Sequence, residues 1–192
     1  MEEKIKEFEV ALLATKRGGM DRLLEFIRKS DFYTAPASTR FHSCHESGLL
    51  EHSLNVFHAL TAKKTTGIWQ EKLKDVADES LAICALLHDL CKTYFYTTDY
   101  RNKKNEQGIW ERVPYYTIDD KIPYGHGEKS VMMIEEYIKL LPVERYAIRW
   151  HMGWTEPKEN YNALGTAMEK YPLILALHEA DLEATYLMEE KQ

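Results

Sequence analysis

Apolar positions recur every three or four residues through most of this chain, a repeat that predicts a succession of amphipathic helices. Residues 2–16 carry Ile5, Phe8, Leu12 and Leu13 at that spacing, and Gly18 and Gly19 end the segment. A second helix is predicted over 20–29, with Leu23, Leu24 and Ile27 on one face. Residues 32–45 contain Pro36 and many Ser, Thr and Ala residues and read as a surface loop. A third helix over 49–63 carries Leu50, Leu54, Phe57 and Leu60, and a fourth over 71–89 carries Leu73, Val76, Ala77, Leu81, Cys84 and Leu87. The period then changes. Residues 93–99 and 109–118 alternate β-branched or aromatic side chains with polar ones, around a polar 101–108 segment. That is the pattern of a two-stranded hairpin with a long exposed tip. Helical spacing returns over 128–140, and Pro142 suits the first turn of a short helix running to 150. A polar loop and a last helix over 173–188 complete the chain. The expected fold is mainly α, with one inserted β-hairpin around residues 93–118.

Composition narrows the class. A chain of 192 residues is expected to form a single domain, 1–192, with a core large enough to need no disulfide or metal staple. Lys and Arg number 25 and Asp and Glu 31, for a formal net charge of −6. Such a chain lacks the basic field that draws a protein to long nucleic acid, though a small anionic substrate could still be held by a local positive centre. No apolar run approaches the roughly 18 residues of a membrane span, so no membrane partner is expected. The opening Met1-Glu2-Glu3-Lys4 is charged and does not resemble a signal peptide. Cys44, Cys84 and Cys91 are odd in number and form no CxxC pair, and a reducing, cytoplasmic setting is expected.

Eight histidines change the picture. His52 lies in the third helix, His88 and Asp89 end the apolar run of the fourth, and His126 sits between two glycines. His151 follows the short proline-initiated helix, and His178 and Asp181 are three apart on the last one, sharing a face. Imidazoles and carboxylates on apolar helices cost several kcal/mol by order of magnitude if left unpaired, a cost that a divalent cation removes. A mixed His/Asp donor set suits transition metals better than Ca or Mg. Periodicity takes the reading as far as a candidate metal site; it does not show that these helices converge.

The ordered segments resemble a known family. His52, His88-Asp89 and Asp181 match the H…HD…D pattern of the HD-domain metal-dependent phosphohydrolase superfamily. Ala85-Leu86-Leu87-His88-Asp89-Leu90-Cys91-Lys92 is similar to its LLHDIGK motif. The segments around His126 and His151 resemble the two added histidines of its binuclear members, and Leu177-His178-Glu179-Ala180-Asp181 resembles its closing helix. The resemblance implies an all-helical core over 41–188, preceded by a helical extension and loop over 1–40. It implies that His52, His88, Asp89 and Asp181 hold one metal ion and that Asp89, His126 and His151 hold a second. The ions expected are two divalent transition metals, iron, manganese, cobalt or nickel, with zinc also admissible. His178 is expected to support the ligands from behind. In one departure, Cys91 stands where the motif has glycine.

The activity implied is metal-dependent hydrolysis of a phosphate mono- or diester, with Asp89 and Lys92 as catalytic residues. Lys92, Arg40, His42 and Tyr124 are the expected substrate contacts. Tyrosines, Trp110 and cations in the inserted segment favour a nucleotide or other small phosphorylated compound. Two other readings stay open: a binuclear-iron oxygenase, and a nucleotide-binding regulatory module. The N-terminal helices are expected either to pack on the core or to join two copies as a homodimer.

Overall fold

The apolar repeats fold into helices close to where the pattern predicts them in the computed structural model, which describes residues 1–40 and 43–189. α1 (Glu2–Ala14) and α2 (Met20–Lys29) form the N-terminal pair. They lie against the core: Phe8, Leu12, Leu23, Leu24 and Ile27 are buried, and the Phe8 and Phe32 rings stand 5.2 Å apart. α3 (Gly48–Lys63) packs on α5 (Asp78–Leu87) and α9 (Leu173–Glu183), while α6 (His126–Glu135) packs on α7 (Pro142–Trp150), which in turn meets α9. Every residue from Ser80 to Leu87 is buried. A helix apolar on all sides belongs at the centre of a bundle, and α5 occupies that place.

Four helical elements depart from the sequence pattern. The helix predicted over 71–89 is two helices, α4 (Gly67–Lys72) and α5, because Ala77 takes extended dihedrals at the start of α5. The break lets Leu73 bury completely, and Lys64 Nζ donates to the freed Val76 carbonyl at 2.8 Å. The helix predicted over 128–140 starts two residues earlier, at His126, and ends at Glu135. The polar loop after His151 contains α8 (Tyr161–Lys170), whose apolar signal is little more than Leu164 and Ala167. The last predicted helix changes hydrogen-bond period: α9 stops at Glu183 and a π-helical turn, Ala184–Met188, follows.

The hairpin pairs β1 (Tyr96–Lys104) with β2 (Trp110–Ile118) in antiparallel register from Tyr96↔Ile118 to Lys104↔Trp110. Arg101, Lys103 and Lys104 are thus strand residues, and the tip is a short turn closed by Asn105 N–H donating to Ile109 O at 2.9 Å. Asn105 Oδ1 caps the turn by accepting from the Gln107 and Ile109 amides. Arg101 lies over Tyr115, Arg112 over Tyr100 and Lys104 over Trp110, so the hairpin's cations and aromatics pair with each other.

A buried carboxylate ties the bundle together. Glu144 Oε1 and Oε2 accept from Arg17 at 2.7 and 2.9 Å, from Ser80 Oγ at 2.7 Å and from the Leu141 amide at 2.7 Å. This fully buried group therefore joins the α1–α2 connection, α5 and the start of α7 with its charge compensated. Among the described residues, no helix is long and apolar enough to cross a membrane.

Candidate metal centre

The His-Asp dipeptide works because the helix ends under it. On a regular helix adjacent side chains diverge by about 100°. Here α5 stops at Leu87, His88 caps it, and Asp89 leaves helical dihedrals (φ −102°, ψ 18°) to enter a 3₁₀ turn, Leu90–Lys92. The chain bends, and His88 Nε2 comes to 3.4 Å from Asp89 Oδ2. α3 adds His52 from one side, α9 adds Asp181, the first turn of α6 adds His126, and the end of α7 adds His151.

Asp89 is the hub of this cluster. Its Oδ2 lies 3.6 Å from His52 Nε2 and 2.6 Å from Lys92 Nζ. Its Oδ1 lies 2.7 Å from His126 Nε2 and 3.6 Å from His151 Nε2. His52 Nε2 is also 3.2 Å from Asp181 Oδ1 and 3.3 Å from His88 Nε2. One carboxylate thus turns its two oxygens toward two different pairs of imidazoles. All six expected ligands meet in one place, and three overlapping groups have donor atoms mutually within 4.8 Å: His52, His88 and Asp181; His88, Asp89 and His151; and Asp89, Cys91 and His126.

The imidazoles are aimed from behind. His88 Nδ1 donates to Ala85 O at 2.8 Å and His151 Nδ1 to Ile148 O at 2.7 Å. With the proton on Nδ1, each Nε2 presents a lone pair to the centre. His151 Nε2 is buried with no hydrogen-bond partner and faces a carboxylate oxygen. A lone pair aimed at a carboxylate in a dry site is unfavourable unless a cation lies between them. The donors present therefore fit a metal ion.

The electrostatics agree. Burial opposes ionisation of Asp89, but Lys92, His88 and His126 around it hold the carboxyl well below its ordinary range. Burial likewise opposes the charge of His52, but Asp181 and Glu189 outweigh it and raise His52 to about 9. For His126 burial is again overcome, by Cys91 and Asp89, and its pKa rises to about 9. For Lys92, the neighbouring Asp89 outweighs burial and keeps the ammonium charged.

Exposure is uneven. The side chains of His52, His88, Asp89 and His151 are at most 3 % exposed, whereas those of His126, Asp181 and Lys92 are 29, 18 and 12 % exposed. These three form the wet side of the cluster. Tyr96 stands near it at the base of the hairpin, its phenol pushed up to about 12 by burial and its hydroxyl donating to Ala37 O.

The remaining expected site residues are His178, Arg40, His42 and Tyr124. His178 stands behind the cluster, donating from Nδ1 to the His151 carbonyl at 2.8 Å. Arg40 is exposed in the connection between α2 and α3, and His42 lies outside the described residues. Tyr124 is 59 % exposed and borders a groove between α6 and α7 with Tyr146, Arg149 and Trp150.

Two further groups stand at the cluster, Glu189, which the sequence did not single out, and Cys91, the departure from the family motif. Glu189 Oε1 accepts from His52 Nδ1 at 2.8 Å, while Ser43 Oγ donates to Glu189 Oε2 at 2.6 Å. In the sequence, Glu189 is one more charge in a polar terminal stretch. Cys91 is the other: its sulfur faces the His126 ring, 3.3 Å from Nδ1. A family model described as HD domain matches residues 49–187. No curated protein and no solved structure matches the chain.

Proposed function

This chain belongs to the HD domain family, most of whose members are metal-dependent hydrolases, and we propose that it hydrolyses the phosphate ester of a nucleotide or another small phosphorylated compound. The observation that carries this reading is the shared carboxylate, Asp89, whose two oxygens face separate sets of imidazoles. His52, His88, Asp89 and Asp181 would hold one ion, and Asp89, His126 and His151 a second. Bound there, divalent cations such as Fe, Mn, Co, Ni or Zn supply charge to phosphoryl oxygens and lower the pKa of water toward neutrality.

The chain's own residues do the rest. The backbone carbonyls of Ala85 and Ile148 orient His88 and His151 before anything binds, so no reorganisation is needed at the moment of reaction. A substrate phosphate approaches by the wet side, between His126, Asp181 and Lys92. The Lys92 ammonium, held charged by Asp89, is a cation on that side that can pair with a phosphoryl oxygen. No nucleophilic side chain is required, since the attacking group is water. A nucleotide is favoured by half-buried Tyr96 near Lys92, an aromatic residue of the kind that stacks on bases.

A screen of phosphomonoesters and phosphodiesters, nucleotide and otherwise, with each metal added separately, tests the reading. Metal-dependent phosphate release is expected, and Asp89→Asn is expected to lower it by about a thousandfold or more. Oxygen uptake by the iron-loaded protein without phosphate release would replace hydrolysis with the oxygenase reading. Nucleotide binding without turnover would replace it with a regulatory one.

A further inference from the structure

Cys91 occupies the middle of the 3₁₀ turn that carries Asp89 into the cluster, and its backbone N–H donates to Ser130 Oγ of α6 at 3.1 Å. That bond fixes the turn against the helix that supplies His126. The side chain is 2 % exposed. Its sulfur points at the imidazole, 3.3 Å from His126 Nδ1 and 3.9 Å from Nε2, and His126 Nε2 is in turn 2.7 Å from Asp89 Oδ1. An independent feature marks the same point: the unpartnered, buried His151 Nε2 lies 3.6 Å from that oxygen. An oxygen, two nitrogens and a sulfur thus surround one small region.

Resting on the reading of this cluster as a metal centre, we propose that Cys91 is a sulfur ligand of the ion held by Asp89, His126 and His151. Sulfur and imidazole nitrogen bind zinc at about 2.3 and 2.1 Å, which puts them roughly 3.6 Å apart on a tetrahedral ion. Sγ lies on the Nδ1 side of the ring, 3.3 Å from Nδ1 and 3.9 Å from Nε2, so reaching an ion held in the ring plane at Nε2 takes a rotation of the cysteine side chain about χ1. As the metal–sulfur bond forms, the thiol S–H bond breaks and its proton leaves to solvent. Cys84 shows the contrast: it is equally buried, but its sulfur meets a backbone carbonyl, Glu144 O at 3.9 Å, and is in none of the candidate metal-holding groups found among the described residues. A thiolate makes this half of the centre softer than a His/Asp set alone, favouring zinc, cobalt and ferrous iron over manganese.

Cobalt reports sulfur ligation directly. The metal-stripped protein titrated with Co²⁺ is expected to show visible d–d bands together with a near-ultraviolet thiolate-to-cobalt charge-transfer band. Cys91→Ser and Cys91→Gly should keep d–d bands and lose the charge-transfer band, while Cys84→Ser keeps both. Cys91→Gly should also lower the zinc-over-manganese affinity ratio by about tenfold or more. Cobalt uptake with d–d bands alone in the wild-type protein, or a charge-transfer band that survives Cys91→Ser, overturns the assignment and leaves the metal centre standing. Failure to take up cobalt at all overturns the metal centre itself and this ligand with it. Should the Cys91 variants not fold, X-ray absorption on the zinc-loaded wild-type protein decides: a sulfur neighbour at about 2.3 Å is expected, and its absence overturns the proposal.

Discussion

The tightest constraint on the cluster comes from atoms that would never touch the metal. His52 is aimed by a carboxylate, Glu189, where His88 and His151 are aimed by helix carbonyls. A carboxylate behind an imidazole fixes its tautomer and raises its basicity, and removing such a partner commonly costs ten- to a hundredfold in metal affinity, by order of magnitude. Glu189→Ala is therefore expected to weaken metal binding by about that factor, with Glu189→Gln, which keeps an acceptor, intermediate. Competition against a chromophoric chelator measures it; equal affinity in all three proteins would remove Glu189 from this role. Ionisable groups on apolar helices must be compensated, which marks a candidate metal site in the sequence; the ordered match to the HD pattern is what singles out His52, His88, Asp89, His126, His151 and Asp181. Glu189 was not legible, since a carboxylate in a polar terminal stretch looks the same whether it is solvated or folded back.

Elements do their work at their ends. α5 ends at Leu87 so that His88 and Asp89 can converge, α6 starts at His126 after Gly125 with φ +93°, and α7 ends at His151. The π-helical turn after α9 brings Glu189 back toward α3, its amide donating to Ala184 O at 3.1 Å. Behind α7, Gly153 sits at φ +57° against the His178 ring, where a Cβ would come within 2.6 Å of the ring atoms. Gly153→Ala must strain the backbone and push His178 off the His151 carbonyl, at a cost of about 1–3 kcal/mol. Thermal unfolding is expected to show that loss, and metal titration a weaker affinity at the His126 and His151 side. An alanine variant as stable and as metal-competent as wild type would show that His178 is dispensable. Periodicity located most of these helices, but their last turns depended on neighbours. Leu73 enters the core only because the predicted 71–89 helix breaks, and α8 carries too few apolar residues to stand out from a loop.

For the molecule as a whole, the cluster is a concentration of opposing charge at the centre of an apolar bundle, joined to it by α3, α5, α7 and α9. A ligand that binds only the folded state stabilises it by mass action, about 2.7 kcal/mol at a hundred times its dissociation constant. Stripping metal with a chelator is expected to lower the melting temperature, and restoring zinc or cobalt to recover it. In Asp89→Asn the same additions should have little effect; an identical response in that variant would place the stabilising ion elsewhere. The chain's net charge of −6 takes on a different meaning with Asp89 and Asp181 placed beside Lys92 and four imidazoles, since the wet side of the site can be locally positive on an acidic protein. By itself the sequence determined the helical class and the hairpin, because hydrophobic period is a local property of the chain, and its ordered likeness to the HD motifs named the His and Asp side chains expected as ligands. The tertiary structure alone decided that these side chains meet on Asp89, that Cys91 faces His126 and that Glu189 stands behind His52. Those are relations between residues as far as 137 positions apart, and no periodicity encodes them.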